Sequence, residues 1–124
     1  MEFKPKILVV EDESIIAMDL KVTLSKLGYE VTSIVNNALA AIQKAEQDKP
    51  DLILMDIMLG GSLDGIEAAK RISYNHSTPI IYVTALRDEG TMKKASLPEP
   101  YLFLSKPYTE NELKQSIEDI LKAI

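Results

Sequence analysis

Three short apolar runs stand out along the chain, and each of them leads to a charged side chain. The runs and their endings are residues 7–10 before Glu11 and Asp12, residues 52–55 before Asp56, and residues 101–104 before Lys106. Continuous apolar runs of four residues are typical of the buried strands of a parallel sheet, which has helices on both faces. The carboxyl ends of such strands meet at one edge, where ligands bind. We therefore expect these charged groups to lie together.

Amphipathic segments alternate with the apolar runs. Apolar side chains at helical spacing predict helices over residues 14–27, from Asn37 to before Pro50, over 66–74, more weakly over 87–96, and after Thr109. The second of these helices carries Leu39, Ala40, Ile42 and Ala45, and a T-x-x-E capping box at Thr109 and Glu112 begins the last. Residues 29–35 and 80–84 are predicted as the remaining strands.

Five βα units in succession predict an α/β domain. We expect a doubly wound, flavodoxin-like (βα)5 fold, with a five-stranded parallel sheet of order 2-1-3-4-5 and helices on both faces. With 124 residues, 46% of them hydrophobic, the chain fits one domain over residues 1–124.

Composition excludes several classes of site. The net charge of -5 argues against direct nucleic-acid binding, and the absence of cysteine excludes disulfides and thiolate metal sites. The sequence offers neither a signal peptide nor a run of roughly 20 apolar residues that would span a membrane. We expect a cytoplasmic protein that does not bind membranes.

The charged groups at the strand ends suit phosphoryl transfer. In the predicted strand order Asp12 and Asp56 face each other, and such hard oxygen ligands suit Mg²⁺, with Glu11 reaching the ion through water more readily than directly. Lys106 is a mobile cation suited to a phosphoryl oxygen, and Thr84 offers a hydroxyl to another. Asp56, on the central strand, is the better candidate for a nucleophile that forms an acyl phosphate.

With these residues in these positions, the chain resembles the receiver domains of two-component response regulators along nearly its whole length. The matching motifs, in order, are ILVVEDE at 7–13, PDLILMD at 50–56, DG at 64–65, VTA at 83–85 and KP at 106–107. The sequence departs from the family at Gly60, where proline is usual, and in the stretch 97–100 before the last strand.

The resemblance implies a role for each matching position. Asp56 would accept phosphate from a sensor histidine kinase or a phosphotransfer protein, and Glu11, Asp12, Asp56 and the main-chain carbonyl of Met58 would hold Mg²⁺. Thr84 and Lys106 would bind the phosphoryl group, and Phe103 would be the aromatic switch that turns inward when Thr84 moves. A cis bond is expected between Lys106 and Pro107.

The expected function is a signalling switch and not an enzyme beyond self-catalysed phosphorylation and dephosphorylation. Phosphorylation would change the surface formed by the fourth helix, fifth strand and fifth helix, through which a homodimer is possible. The downstream effector is unknown. Two alternatives stay open: a small haloacid-dehalogenase-like phosphotransferase, and a pseudo-receiver that binds partners without taking phosphate.

Overall fold

The computed structural model describes residues 3–59, 64–85, 88, 90, 94 and 96–122. Five strands and four helices lie within these residues. Their bounds are β1 Lys6–Val10, α1 Ser14–Lys26, β2 Glu30–Val35, α2 Ala38–Asp48, β3 Leu52–Asp56, α3 Asp64–Asn75, β4 Ile80–Ala85, β5 Tyr101–Lys106 and α4 Glu110–Lys122. The helix predicted over residues 87–96 falls mostly outside the described residues, so α4 is the fifth helix that the sequence predicts.

The strands form one parallel sheet in the order β2-β1-β3-β4-β5, which confirms the predicted order. Alternate residues of the strands face opposite sides of the sheet. Leu8 and Val10 of β1 join the cluster beneath α2 and α3, whereas Ile7 and Val9 join the cluster beneath α1 and α4. Both faces of the sheet are thus covered by helices, which explains why the strands read as unbroken apolar runs.

Local signals in the sequence fix where several helices begin and end. The side chain of Asn37 accepts a hydrogen bond from the Ala40 N–H at 2.8 Å, a cap that stabilises α2 by about 1 kcal/mol. Thr109 and Glu112 form the predicted capping box of α4 through reciprocal bonds of 3.0 and 3.1 Å. Gly28 ends α1 with a φ of 96°, a conformation that favours glycine.

One apolar residue of α2 faces solvent. Leu39 is 65% exposed, and α2 buries Ala45, which the sequence analysis named, and Ala41, which it did not. Five consecutive apolar residues at the start of this helix, 38–42, leave its buried side ambiguous, and the packing of α2 on the sheet selects the smaller alanines. Among the helices in the part of the chain that the structure describes, none is long and apolar enough to cross a bilayer. A cytoplasmic location stays a prediction.

Candidate functional site

Strand register brings the acidic residues and the lysine to one edge of the sheet. Val10 pairs with Met55, so the residues that follow, Glu11 and Asp56, end neighbouring strands side by side. On the other side of β3, Asp56 pairs with Val83, and Ala85 further along β4 pairs with Lys106. The sheet itself therefore assembles the groups that the sequence analysis singled out.

Asp56 is buried, with only 6% of its surface exposed, and both of its carboxylate oxygens are bonded. The Nζ of Lys106 donates to Oδ2 at 3.0 Å, and the backbone N–H of Met58 donates to Oδ1 at 3.0 Å. A cation on one side and a main-chain donor on the other fix the orientation of the carboxylate. This geometry holds Asp56 in place at the end of β3.

Three carboxylates form a compact cluster at this edge. Ligand oxygens of Glu11, Asp12 and Asp56 all lie within 4.8 Å of one another. Glu11 is 4% exposed and accepts a hydrogen bond from the Glu13 N–H at 3.0 Å, whereas Asp12 is exposed. Glu11 therefore lies at the inner side of the cluster, with its carboxylate among the possible direct ligands.

Burial and the neighbouring acids raise the pKa of the Glu11 carboxyl. Burial raises the pKa of Glu11 most, the charge of Asp56 and a hydrogen bond with Asp12 add to it, and the Glu13 N–H and Lys106 oppose it. The net result is a pKa of about 7. In Lys106, burial acts to lower the pKa, but the hydrogen bond and charge of Asp56, with the charges of Glu11 and Glu13, outweigh it and raise the pKa. Lys106 is thus a stable cation beside the acids.

The donor set fits a hard divalent cation. One lysine does not balance three clustered carboxylates, and after burial the charge of Asp56 is the next cause that raises the pKa of Glu11. Carboxylate oxygens partly open to solvent, as at Asp12, are the ligands that Mg²⁺ takes while it keeps several waters. The role of the Met58 carbonyl in such a site stays a prediction.

The two residues assigned to switching lie on β4 and β5, and Thr84 follows Val83, which pairs with Asp56. Thr84 is 1% exposed, and its hydroxyl donates to the carbonyl of Ala85 at 3.0 Å. Phe103 is partly buried and packs on Tyr82 and Tyr101, with ring centroids 6.0 and 5.3 Å away. Their roles as phosphoryl ligand and aromatic switch stay predictions. The Lys106–Pro107 bond is cis, as the resemblance implies.

A cavity of about 500 Å³ opens beside Asp56, and one of its walls could not be predicted from the sequence. Apolar side chains of α1 and Tyr108 line it together with Glu11, Asp56 and Lys106. Burial raises the pKa of Tyr108, and the charges of Glu11, Asp19 and Asp56 raise it further, so the phenol stays neutral. In the sequence, the sign that Tyr108 lies at the site is its position two residues after Lys106.

Comparison with known proteins gives consistent matches. A family model described as the response regulator receiver domain matches residues 7–118. The transcriptional regulatory protein PdtaR of Mycobacterium tuberculosis is 34% identical over 113 residues, which are 91% of this chain and 55% of PdtaR. The phyllosphere-induced regulator PhyR of Methylorubrum extorquens is 31% identical over 117 residues, 94% of this chain and 43% of PhyR.

A solved structure extends the likeness to three dimensions. The signal receiver domain of a modulated diguanylate cyclase from Desulfovibrio desulfuricans superposes with a TM-score of 0.86 at 36% identity, covering 98% of this chain and 96% of that one. The chain spans about half the length of the curated relatives named above.

Proposed function

Because the chain belongs to the response regulator receiver family, we propose that Asp56 accepts a phosphoryl group from a phosphohistidine of a sensor kinase or phosphotransfer protein. A carboxylate oxygen of Asp56 forms a bond to phosphorus, and the bond between phosphorus and the donor nitrogen breaks. The electron pair of that bond stays on the donor imidazole, and the product on this chain is an acyl phosphate.

The observation that supports this proposal most is the setting of Asp56. The carboxylate is buried, oriented by the Met58 N–H and paired with Lys106 at 3.0 Å. Phosphoryl transfer depends mostly on positioning and charge neutralisation, and this arrangement supplies the positioning together with one cation. Lys106 is flexible enough to stay with the phosphoryl oxygens after transfer, because its stem is only partly buried.

Glu11, Asp12 and Asp56, with the Met58 carbonyl, would hold Mg²⁺. When bound, this ion would neutralise charge on the phosphoryl oxygens and on the acidic cluster. The chain's own contribution is to hold the three carboxylates at fixed strand ends and to shield Glu11 and Asp56 from bulk water.

The output is a changed surface and not a released product, so we propose a switch and not an enzyme. Thr84 would leave the Ala85 carbonyl for the phosphoryl group, and Phe103 would turn into the space that it vacates. The affected surface would include β5, α4 and the residues 87–96 that precede them. Contacts with an effector, or a homodimer through this surface, are part of the same proposal.

The alternatives have less support. A haloacid-dehalogenase-like phosphotransferase needs a second aspartate two residues after the nucleophile, and that residue here is Met58. A pseudo-receiver would not need Lys106 beside a buried aspartate.

Intact-protein mass spectrometry after incubation with acetyl phosphate tests the proposal. Wild type with Mg²⁺ is expected to gain one phosphoryl group, and Asp56→Ala is expected to gain none. Asp119→Ala is the matched control, because Asp119 is an exposed aspartate on α4 away from the site. Absence of labelling in wild type would favour the pseudo-receiver, and labelling of Asp56→Ala would place the acceptor elsewhere.

A further inference from the structure

Gly65, at the start of α3, lies against the backbone that carries the acceptor aspartate. A Cβ added at Gly65 would come 2.7 Å from the carbonyl oxygen of Asp56, 2.7 Å from the Cα of Ile57 and 3.1 Å from the Ile57 carbonyl oxygen. All three atoms are main chain, so no side-chain rotation relieves the overlap. Only glycine permits this approach of α3 to the end of β3.

A hydrogen bond joins the two segments at the same place. The N–H of Gly65 donates to the carbonyl of Ile57 at 3.2 Å. The next residue, Met58, donates its own N–H to Asp56 Oδ1. The peptides around Ile57 are therefore held from the helix on one side and from the acceptor carboxylate on the other.

Helix α3 is a rigid support for this contact. Ala68, Ala69 and Ile72 are buried against the sheet, and Ile57 is fully buried in the same cluster. A displacement of the first turn of α3 would therefore be transmitted to the Asp56–Met58 turn and not absorbed by loose packing.

We propose that Gly65 is a positioning residue for the acceptor site. Its missing side chain lets α3 pack directly on the Asp56–Ile57 backbone, and this contact fixes the direction of the Asp56 carboxylate and the Met58 peptide. This inference rests on the proposed function for its phosphorylation readout. Its magnesium readout is independent of phosphorylation.

Gly65→Ala tests the contact between Gly65 and the Asp56–Ile57 backbone. We expect about a 10-fold loss of Mg²⁺ affinity by calorimetry, the usual effect of removing a group that supports metal ligands. With acetyl phosphate and saturating Mg²⁺, we expect the phosphorylation rate to fall about 100-fold, because a displacement near 1 Å has that effect on positioned reactions. Both are measured where urea titration shows the variant fully folded.

Two controls separate positioning from stability. Lys70→Ala changes an exposed position of the same helix, and it should change neither readout. Ala69→Gly weakens α3 itself by cavity formation and helix propensity without touching the Asp56 backbone. If Ala69→Gly lowers Mg²⁺ affinity and rate as much as Gly65→Ala does, the role of Gly65 is only structural and the proposal fails.

Wild-type hydrogen exchange decides the question if Gly65→Ala does not fold. Saturating Mg²⁺ should slow exchange of the Gly65 amide more than that of the Ser73 amide at the far end of α3. Equal slowing at both ends would reflect global stabilisation alone and would overturn the proposal. Wild type that binds Mg²⁺ but takes no phosphate would count against the proposed function while leaving these magnesium tests of Gly65 decisive.

Discussion

Two neighbouring regions of the site differ in how completely they are assembled. The acceptor side consists of Glu11, Asp12, Asp56 and Lys106, and the switch side consists of Tyr82, Thr84, Tyr101 and Phe103. On the acceptor side, the lysine already contacts the aspartate at 3.0 Å. On the switch side, the Thr84 hydroxyl bonds its neighbour's carbonyl, and the buried Tyr82 hydroxyl has no hydrogen-bond partner among the described residues.

The difference matches the two proposed roles, phosphoryl transfer on the acceptor side and conformational response on the switch side. The acceptor side is held by strand ends, whose positions the whole sheet determines, so the proposed phosphoryl transfer needs no rearrangement of the strands. The switch side contains one hydroxyl with a replaceable partner and one that has no partner among the described residues, together with an aromatic ring that is only partly buried. A rearrangement of this region would break few hydrogen bonds, which suits an element with two arrangements.

The largest expected effect comes from removing the cation of the acceptor side. Lys106→Met should slow phosphorylation by acetyl phosphate about 100-fold, because it removes a preorganised charge from the developing phosphoryl oxygens. Mg²⁺ affinity should stay the same or increase, since a positive charge beside the cluster is lost. Calorimetry and phosphorylation kinetics measure the two effects separately.

Lys26→Met is the matched control, because Lys26 forms an exposed ion pair with Glu110 away from the site. It should leave both quantities unchanged. A parallel loss of affinity and rate in Lys106→Met would show that Lys106 holds the cluster together and has no separate role in transfer.

A smaller effect should appear in the pH dependence of Mg²⁺ binding. The pKa of Glu11 is about 7, so below that pH the ion must displace a proton. Lowering the pH from 8 to 6 should weaken binding about 10-fold. Glu11→Gln should bind more weakly at pH 8 and lose most of this dependence. An unchanged pH profile in Glu11→Gln would assign the titration to another group.

The same shift affects the stability of the metal-free protein. Because the pKa of Glu11 is higher in the folded protein than its ordinary value of 4.5, the folded state binds this proton more tightly. Its contribution to the free energy of unfolding is fully present below pH 4.5 and is lost as the pH rises through 7. Urea titrations of wild type and Glu11→Gln without metal should converge at low pH and differ at pH 8, where wild type is the less stable.

On the switch side, Thr84→Val should act on stability and not on metal binding. The buried hydroxyl loses its bond to the Ala85 carbonyl, which costs about 1 kcal/mol in the free energy of unfolding. Mg²⁺ affinity should equal that of wild type. A Thr84→Val variant with weakened Mg²⁺ binding would mean that the two sides are not separable.

The smallest expected effect has the opposite sign. Tyr82→Phe removes a buried hydroxyl without a partner in the described part of the chain, so stability should rise by up to about 1 kcal/mol. Packing on Tyr101 and Phe103 is retained, because the ring stays. A loss of stability in Tyr82→Phe would reveal a partner for this hydroxyl and contradict the view that the switch side is incompletely bonded.

Much of the fold could be predicted because its signals are local. Apolar runs buried on both faces, a capping box at Thr109 and a side-chain cap at Asn37 depend on residues close together in the chain. The exposure of Leu39 could not be predicted, because five adjacent apolar residues leave the helical phase ambiguous. Only packing against β1 resolves such a case.

The finer geometry of the site could not be predicted, since it depends on contacts between distant segments. The sequence predicts that Glu11 and Asp12 lie together, but not that Glu11 is the buried acid and Asp12 the exposed one. The contact of Gly65 with the Asp56–Ile57 backbone depends on how α3 approaches the strand ends. The position of Tyr108 in the cavity likewise depends on the path of the loop after β5.

Chemical trapping of the phosphorylated residue tests the central claim most directly. Borohydride reduces an acyl phosphate to an alcohol, so the phosphorylated protein should yield homoserine in place of Asp56, located by peptide mass spectrometry. We predict this product in wild type treated with acetyl phosphate and Mg²⁺, and its absence without either reagent. Reduction at another carboxylate, or a stable phosphoester at Thr84 with Asp56 unmodified, would contradict the account.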